Sequence, residues 1–492
     1  MVKFEVRPNR ASFPKQFMLY RFITFLGTFL LICGCNYSKS NDDSIYIGGQ
    51  IQNPETDYIV LSRTNEPLDT LYLNRKNQFG KRYEDLSEGI YVFRHIPESQ
   101  IMYVEPGDSI LIYVNTMDFD NTLNFSGKGS EKSSFLLDMF LKNQKDNNLI
   151  LRYYKIPPED FAVITDSIKE KRIEDLELLS ERVDFSEEFM AIARSSIDYE
   201  YYDLRERYSL LIHKYYKKLA DDFPESFFKY RNDINFNDSR LEDYYVYTNL
   251  IDDYLKNKSI QRCTQDEENH PDCFNLNSFK NMARRMELID SISTLRTLKN
   301  EFIDRLAQQS ITKAENEDRI DSILRLLKRI EYSKYNEAVD LADMQKKYFK
   351  GASLNEIKII NSTGELLTYK DVLTKPSVSY AWSLYAPAHH RWQHKIIDDL
   401  KQKYPAIEFI GVNLDMGERE EWLRTLETFN YDKDAEFQIA NRSSSKLSYK
   451  KYLNKVFLIN PDGTIAVGDT QFGTPEFEAE LQKFLKTQKS HS

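Results

Sequence analysis

The chain has 492 residues, 41% of them hydrophobic and 29% charged, with 77 acidic against 67 basic side chains and a formal charge of −10. That length holds about three domains of ordinary size. The acidic balance argues against nucleic acid as a partner, because a polyphosphate backbone is held by excess Lys and Arg.

The first feature along the chain is a leader. Phe22 to Ile32 is an apolar stretch after Arg21, too short for the ~20 residues that span a bilayer, and it runs into Leu31-Ile32-Cys33-Gly34-Cys35. This stretch resembles a bacterial lipobox, with Ile32 three positions before the cut, Gly34 just before it and Cys35 as the lipidated residue. The resemblance implies a signal peptide over residues 1–34 and a polar tether over 35–44. An ordinary signal peptide with incidental cysteines is the other reading. Met18 offers a conventional short basic start. Cleavage before Cys35 removes five basic residues and one acidic one, leaving a still more acidic chain. Asn36 after the cysteine implies, by analogy with lipoprotein sorting, the outer membrane of the cell envelope, facing periplasm or cell surface.

Residues 45–130 read as short alternating strands: Tyr46 to Ile51, Tyr58 to Leu61, Thr70 to Leu73, Ile90 to Phe93, Ile101 to Val104 and Ile110 to Val114. The pattern predicts a small β-sandwich. Glu105-Pro106-Gly107-Asp108-Ser109 supplies a turn, with proline fixing φ and glycine allowing a positive one. Tyr103 to Ile110, followed by Phe125-Ser126-Gly127, resembles the DUF4369-type β domain that precedes thioredoxin domains in Bacteroidetes lipoproteins.

Residues 131–349 are helical in pattern. Apolar positions at three and four spacing run through Ile168 to Val183, Phe189 to Leu219, Leu241 to Leu255, Phe279 to Leu306 and Ile320 to Tyr348, with no fixed-period repeat. Tyrosines are concentrated here, at positions 199, 201, 202, 208, 215 and 216. They read as half-buried packing with wet hydroxyls, and an aromatic surface for a protein or glycan is the alternative. Of the four cysteines, Cys263 and Cys273 lie here, in a polar stretch with His270 and Pro271. In an oxidising compartment a pair this close forms a structural disulfide. Two thiols and one imidazole make a weak zinc signal.

Residues 350–492 carry the feature that bears on function. Val378, Tyr380 and Trp382 begin an extended run, Pro387 marks a turn into a helix, and Ile396, Ile397, Leu400 and Tyr404 recur at helical spacing. The nonapeptide Tyr380-Ala-Trp-Ser-Leu-Tyr-Ala-Pro-Ala388 resembles the F-W-A-T-W-C-G-P-C block of TlpA/ResA-like periplasmic thiol-disulfide oxidoreductases. The likeness continues through Ile407, Phe409, Gly411, Val412 and Asp415, the helical stretch Glu418 to Thr428 with Trp422, and the hairpin Val456 to Val467 around Asn460-Pro461-Asp462-Gly463. It implies a thioredoxin-like α/β domain. The alignment puts Tyr385 and Ala388 at the two cysteine positions, Ala386 at the glycine, Pro387 at the proline and Asn454 at the cis-proline. A cis bond before a non-proline residue costs about 2.5 to 4 kcal/mol, so Asn454 is expected to be trans.

Disulfide exchange needs a low-pKa thiolate and a second thiol to resolve the mixed disulfide. A phenol and a methyl group supply neither, and no cysteine follows Cys273, so a shifted register does not restore the pair. His390 and His394, four apart and on one helical face, have the spacing of a divalent metal site. They lack a third ligand, and Arg391 stands where a metalloprotease helix carries its general base. The default expectation is exposed histidines with no partner. Two function classes follow. One is an envelope lipoprotein whose redox-inactive domain binds or scaffolds a protein or peptide, with no cofactor. The other is an enzyme, either an oxidoreductase using Cys263 and Cys273 or a histidine-dependent metal protein.

Overall fold

The computed structural model describes residues 43–63, 66–153, 155–216, 223–266, 271–440 and 453–489. The stretch expected to be a leader, most of the expected tether, Cys33, Cys35 and His270 lie outside the described residues. The chain divides into two compact units, one ending at Asp138 and one beginning at Met139.

The first unit holds eight strands: β1 (Ile45–Gln52), β2 (Tyr58–Arg63), β3 (Glu66–Tyr72), β4 (Gln78–Tyr83), β5 (Gly89–His95), β6 (Glu98–Val104), β7 (Ser109–Asn115) and β8 (Asn124–Lys128). They form two four-stranded sheets, ordered β4-β1-β7-β8 and β3-β2-β5-β6. Alternation sets the faces. Ile110, Ile112 and Val114 of β7 are buried, whereas Leu111 and Tyr113 are exposed. Phe79 from one sheet stacks on Phe93 from the other, with centroids 6.1 Å apart, which makes the pair of sheets a sandwich. β4 and β8 have no counterpart among the predicted strands. Their runs, Gln-Phe-Gly-Lys-Arg-Tyr and Asn-Phe-Ser-Gly-Lys, bury a single aromatic residue each. Lys132 secures the Glu105–Asp108 turn, with its ammonium 2.8 Å from Glu105 and 3.0 Å from Asp108.

Helix α1 (Ser130–Tyr153) crosses the division between the units and is followed by α2 (Pro158–Ser180), α3 (Glu187–Tyr215), α4 (Tyr245–Asp266), α5 (Phe279–Ile292), α6 (Arg296–Thr312), α7 (Glu317–Arg329) and α8 (Tyr335–Lys346). The stretch expected as one helix from Phe279 to Leu306 breaks at Ser293. There the Ser293 hydroxyl donates to the Phe236 carbonyl at 3.0 Å, and the Thr294 N–H to Asn237 at 2.6 Å. Such tertiary partners replace the helical bonds that would carry the chain straight on. A second break separates α7 from α8, where Glu331 takes a φ of 50°.

Four of the α3 tyrosines are more deeply buried than expected, and the hydroxyls of Tyr199, Tyr201 and Tyr208 have protein partners. Tyr199, Tyr201, Tyr202 and Tyr208 are all buried. Tyr201 donates to Asp146 at 2.6 Å and Tyr208 to the Ile156 carbonyl at 2.5 Å. Tyr208 also stacks on Phe161 at 4.0 Å. Tyr215, at the end of α3, is exposed. Cys263, in α4, and Cys273, in the turn after it, are disulfide-bonded with Cα atoms 5.4 Å apart, and both are buried.

The C-terminal sheet follows, from β9 (Lys358–Ile360), β10 (Leu366–Thr368), β11 (Ser377–Trp382), β12 (Glu408–Asn413), β13 (Glu436–Ile439), β14 (Val456–Ile459) and β15 (Ile465–Thr470), with helices α9 (Pro387–Lys403), α10 (Arg419–Thr428) and α11 (Pro475–Lys489). The strand order is β10-β9-β13-β12-β11-β14-β15. β11, β12 and β13 run parallel, β14 is antiparallel to β11, and β15 is antiparallel to β14. A central β–α–β unit closed by a hairpin and a last helix is the thioredoxin-like arrangement. Val378, Tyr380 and Trp382 of β11 face one core, shared with Ile397, Leu400, Trp422, Leu426 and Leu481. Ala381 faces the other, with Ile410, Val412 and Ile459. All six residues of β11 are buried, as expected of a strand with both faces covered.

Candidate functional site

The site begins where β11 ends. Ser383 to Ala386 form the turn into α9, and Pro387 occupies its first helical position, where a missing N–H and a fixed φ cost nothing. Asp415, just past the end of β12, clamps this turn. Its carboxylate accepts from the Ser383 hydroxyl at 3.0 Å, the Leu384 N–H at 2.6 Å and the Asn413 amide at 3.2 Å. Ser383 in turn accepts from the Tyr385 N–H at 3.2 Å. The turn therefore holds its shape through side chains that contain no sulfur.

On that turn Tyr385 is 68% exposed. Glu418 beside it, with slight burial and Asp415 behind, raises its phenol pKa above the ordinary value, so the group stays protonated at neutral pH. Ala388 presents a methyl in the first turn of α9. Among the described residues the cis peptide bond is at Ile96–Pro97, and the Leu453–Asn454 bond is trans. His389 neighbours Asn454: burial lowers its pKa, and a hydrogen bond with Asn454 opposes that. The Gln393 amide lies 3.5 Å from the Leu453 carbonyl. Trp392, partly exposed, packs over Gly473, where a Cβ would come within 2.8 Å of the indole and where φ is +76°.

The histidines differ from expectation. His390 and His394 are buried, at 2% and 7% exposure, and both have partners. Helical spacing places both imidazoles on the face of α9 that lies against β11, and the sequence gives no sign of what waits there. His390 Nδ1 lies 2.8 Å from the Tyr431 hydroxyl. His394 stacks on the Tyr431 ring, with centroids 3.5 Å apart and planes 3° from parallel. The His390 carbonyl only accepts, so Nδ1 of His394, 2.7 Å away, donates to it. The other nitrogen, Nε2, is 3.0 Å from Glu436 Oε1.

Glu436, on β13 and 2% exposed, is the hub of this cluster. The Tyr380 hydroxyl donates to Oε1, and the Trp382 indole N–H donates to Oε2 at 2.8 Å. Gly411 makes room for the carboxylate. It pairs with Tyr380 on one side and Glu436 on the other, and a Cβ at this glycine would fall 2.2 Å from Oε2. The contact between His394 Nε2 and Glu436 Oε1 adds a third partner to the buried carboxylate, which is therefore not left bare.

Burial, with His394, Arg391 and His389 adding like charge, lowers the His390 pKa to about 4, so this ring is neutral at neutral pH. Burial raises Tyr380 well above its ordinary value, and the Glu436 carboxylate adds to it. Both nitrogens of His394 are already in use, and the two histidine rings stand nearly perpendicular, with centroids 6.3 Å apart. The arrangement does not present two free lone pairs to one ion. Among the described residues no group of three or more His, Cys, Asp or Glu is placed to hold a metal.

Sequence reasoning missed Glu436, Tyr431 and the role of Gly411. The run Glu-Phe-Gln-Ile gives β13 a charge and an amide in a strand where all four residues are buried. The one available signal was a pair of polar residues at period 2, Glu436 and Gln438. The Gln438 amide donates to the Asp415 carbonyl at 2.8 Å, so β13 supports both the clamp and the buried cluster.

No protein-family model matches the chain, and no curated protein matches it. Among solved structures, the chain is similar to the thioredoxin domain of a thiol-disulfide oxidoreductase from Bacteroides vulgatus, at 18% identity and a TM-score of 0.21, covering 27% of this chain and 96% of that one. It is also similar to a domain of a possible thiol-disulfide isomerase from Cytophaga hutchinsonii, at 15% identity and a TM-score of 0.24, covering 29% of this chain and 94% of that one.

Proposed function

We propose that this chain is a cell-envelope lipoprotein of TlpA-like descent, with a DUF4369-type β-sandwich ahead of the helices, whose thioredoxin-like domain has given up thiol exchange and binds a protein or extended peptide. The observation that carries this reading is the pairing of an intact turn with the wrong side chains on it. Asp415 and Ser383 hold the helix start in shape, while Tyr385 and Ala388 occupy the positions where exchange needs sulfur. Exposed aromatic surface remains around the first two turns of α9, at Tyr385, Trp392 and Phe429. Aromatic side chains of this kind bury large area at low entropic cost when a partner docks.

The enzyme reading through Cys263 and Cys273 is less well supported, because both sulfurs are buried and bonded to each other among the helices. A lipid on Cys35 would tether the chain, with the outer membrane as its expected location.

Three measurements test the proposal. The purified chain accelerates insulin reduction no more than dithiothreitol alone, and clear turnover would refute the loss of thiol exchange. A photo-cross-linker at Tyr385 captures one envelope protein from membranes, and Trp392→Glu reduces that capture. Capture unchanged by Trp392→Glu would count against this surface. Palmitate labelling of the expressed chain is lost in Cys35→Ser, and its absence in the parent would remove the lipid anchor.

A further inference from the structure

A cavity of about 670 Å³ in the helical region lies where the end of α3, α4, α5, α6 and the segment after Cys273 converge. Its charged lining is Lys214, Asp252, Lys256, Arg285 and Arg305. Most of these charges are already matched. Asp252 lies 2.8 Å from Lys256 and 2.5 Å from Arg305, and Lys256 also reaches Asp253 at 2.6 Å.

Arg285 is different. Its side chain is 5% exposed, and among the described residues it has no ion pair. One Nη donates to the Leu276 carbonyl at 2.6 Å, and among the described residues the buried Nε has no hydrogen-bond partner. A guanidinium keeps its proton, so burying one without a counter-charge is unfavourable. Burial pulls its pKa down to about 10, and Arg305 pushes the same way against Asp252. Lys214, exposed at the end of α3, adds a second cation with no carboxylate within ion-pair distance among the described residues. The rest of the wall includes the side chains of Phe274 and Leu306 and the amides of Asn275, Asn277 and Gln309.

From this we infer that the cavity is a binding site for a small carboxylate on an apolar body, with Arg285 as the residue that pairs with the carboxylate. The reasoning is a charge balance. Among the described residues one buried cation has no carboxylate within ion-pair distance, which a bound carboxylate would supply, and a planar guanidinium on the cavity wall suits a carboxylate in geometry as well as charge. The ring of Phe274 and the side chain of Leu306 suit a hydrocarbon portion, and the amides suit neither charge in particular. Just ahead of the Phe274–Asn277 segment, Cys273 is held both by its disulfide and by the Asn281 amide, which donates to its carbonyl at 2.8 Å.

The test uses the full chain with sodium hexanoate, sodium benzoate, 1-hexanol and inorganic phosphate as probes in calorimetric titrations. Hexanoate or benzoate gives a saturable signal, 1-hexanol gives none, and phosphate binds more weakly than either carboxylate. In Arg285→Met the carboxylate affinity falls by about tenfold or more, the worth of a lost charged hydrogen-bond pair. Lys214→Glu, a surface change that does not disturb packing, weakens the same binding and keeps the proposal testable if Arg285→Met does not fold. Absence of saturable carboxylate binding, affinity unchanged in either variant, or tighter binding of phosphate than of both carboxylates would each overturn the assignment.

Discussion

Acid should weaken the C-terminal domain through one ring, and the size of the effect can be worked out. His390 is buried beside Tyr431 with its pKa lowered to about 4, against about 6.5 for the unfolded chain. For a group with a depressed folded pKa, the unfolded state binds the proton first. The stabilisation is therefore complete above pH 6.5 and is lost as pH falls towards 4. Over the whole window this amounts to about 3 kcal/mol, and to about 2.5 kcal/mol by pH 4.5. Asparagine at this position keeps an amide near Nδ1 to meet the Tyr431 hydroxyl but does not titrate. The three tryptophans of the chain, Trp382, Trp392 and Trp422, all lie in the thioredoxin-like region, so urea unfolding followed by indole fluorescence reports on it rather than on the sandwich or the helices. Wild type should lose about 2.5 kcal/mol more than His390→Asn between pH 7.5 and pH 4.5. A pH dependence equal in the two proteins would show that His390 is not the titrating group and that its burial has been misread.

Glu436→Ala leaves the Tyr380, Trp382 and His394 donors without their acceptor and should cost roughly 3 to 5 kcal/mol in the same urea assay, whereas Glu436→Gln, which keeps an acceptor, should cost less. Gly411→Ala drives a methyl into the Glu436 carboxylate and should cost about 1 to 3 kcal/mol. In the Glu436→Ala background, where the obstruction is gone, most of that cost should disappear, and a double-mutant cycle measures the coupling. Reducing Cys263–Cys273 should lower the stability of the helical region by about 3 kcal/mol, from the loop it closes, read by circular dichroism while the tryptophan transition stays in place. An unchanged helical transition after reduction, confirmed by thiol labelling, would refute a stabilising role.

The strands and helices that were legible in the sequence share a cause: each repeats one simple pattern along its length. β7 alternates from Ile110 to Val114, β11 does so from Val378 to Trp382, and α9 keeps its apolar spacing from Ile397 to Leu400. The break at Ser293 was not legible, because the residues that end that helix, Phe236 and Asn237, come from far along the chain. β13 was hidden for a related reason. Its glutamate and glutamine look like surface residues until β12 supplies Gly411, β11 supplies Tyr380 and Trp382, and α9 supplies His394. The histidines were found by their spacing and placed in the wrong environment, since periodicity tells which residues share a face of a helix but not whether that face meets solvent or a carboxylate. That no cysteine follows Cys273 is legible at once, because it rests on residue identity and needs no tertiary partner.

The clamp of Asp415 on the turn has an evolutionary corollary. Shape at the helix start is underwritten by Ser383, Asn413 and Asp415, and none of these is among the exposed residues, Tyr385 and Ala388, that the turn presents. Display and support are thus encoded separately, and a lineage can exchange what the turn shows to the outside without renegotiating how the turn is built. Grafting new recognition side chains at 385 and 388 should accordingly be tolerated far better than any change at 415.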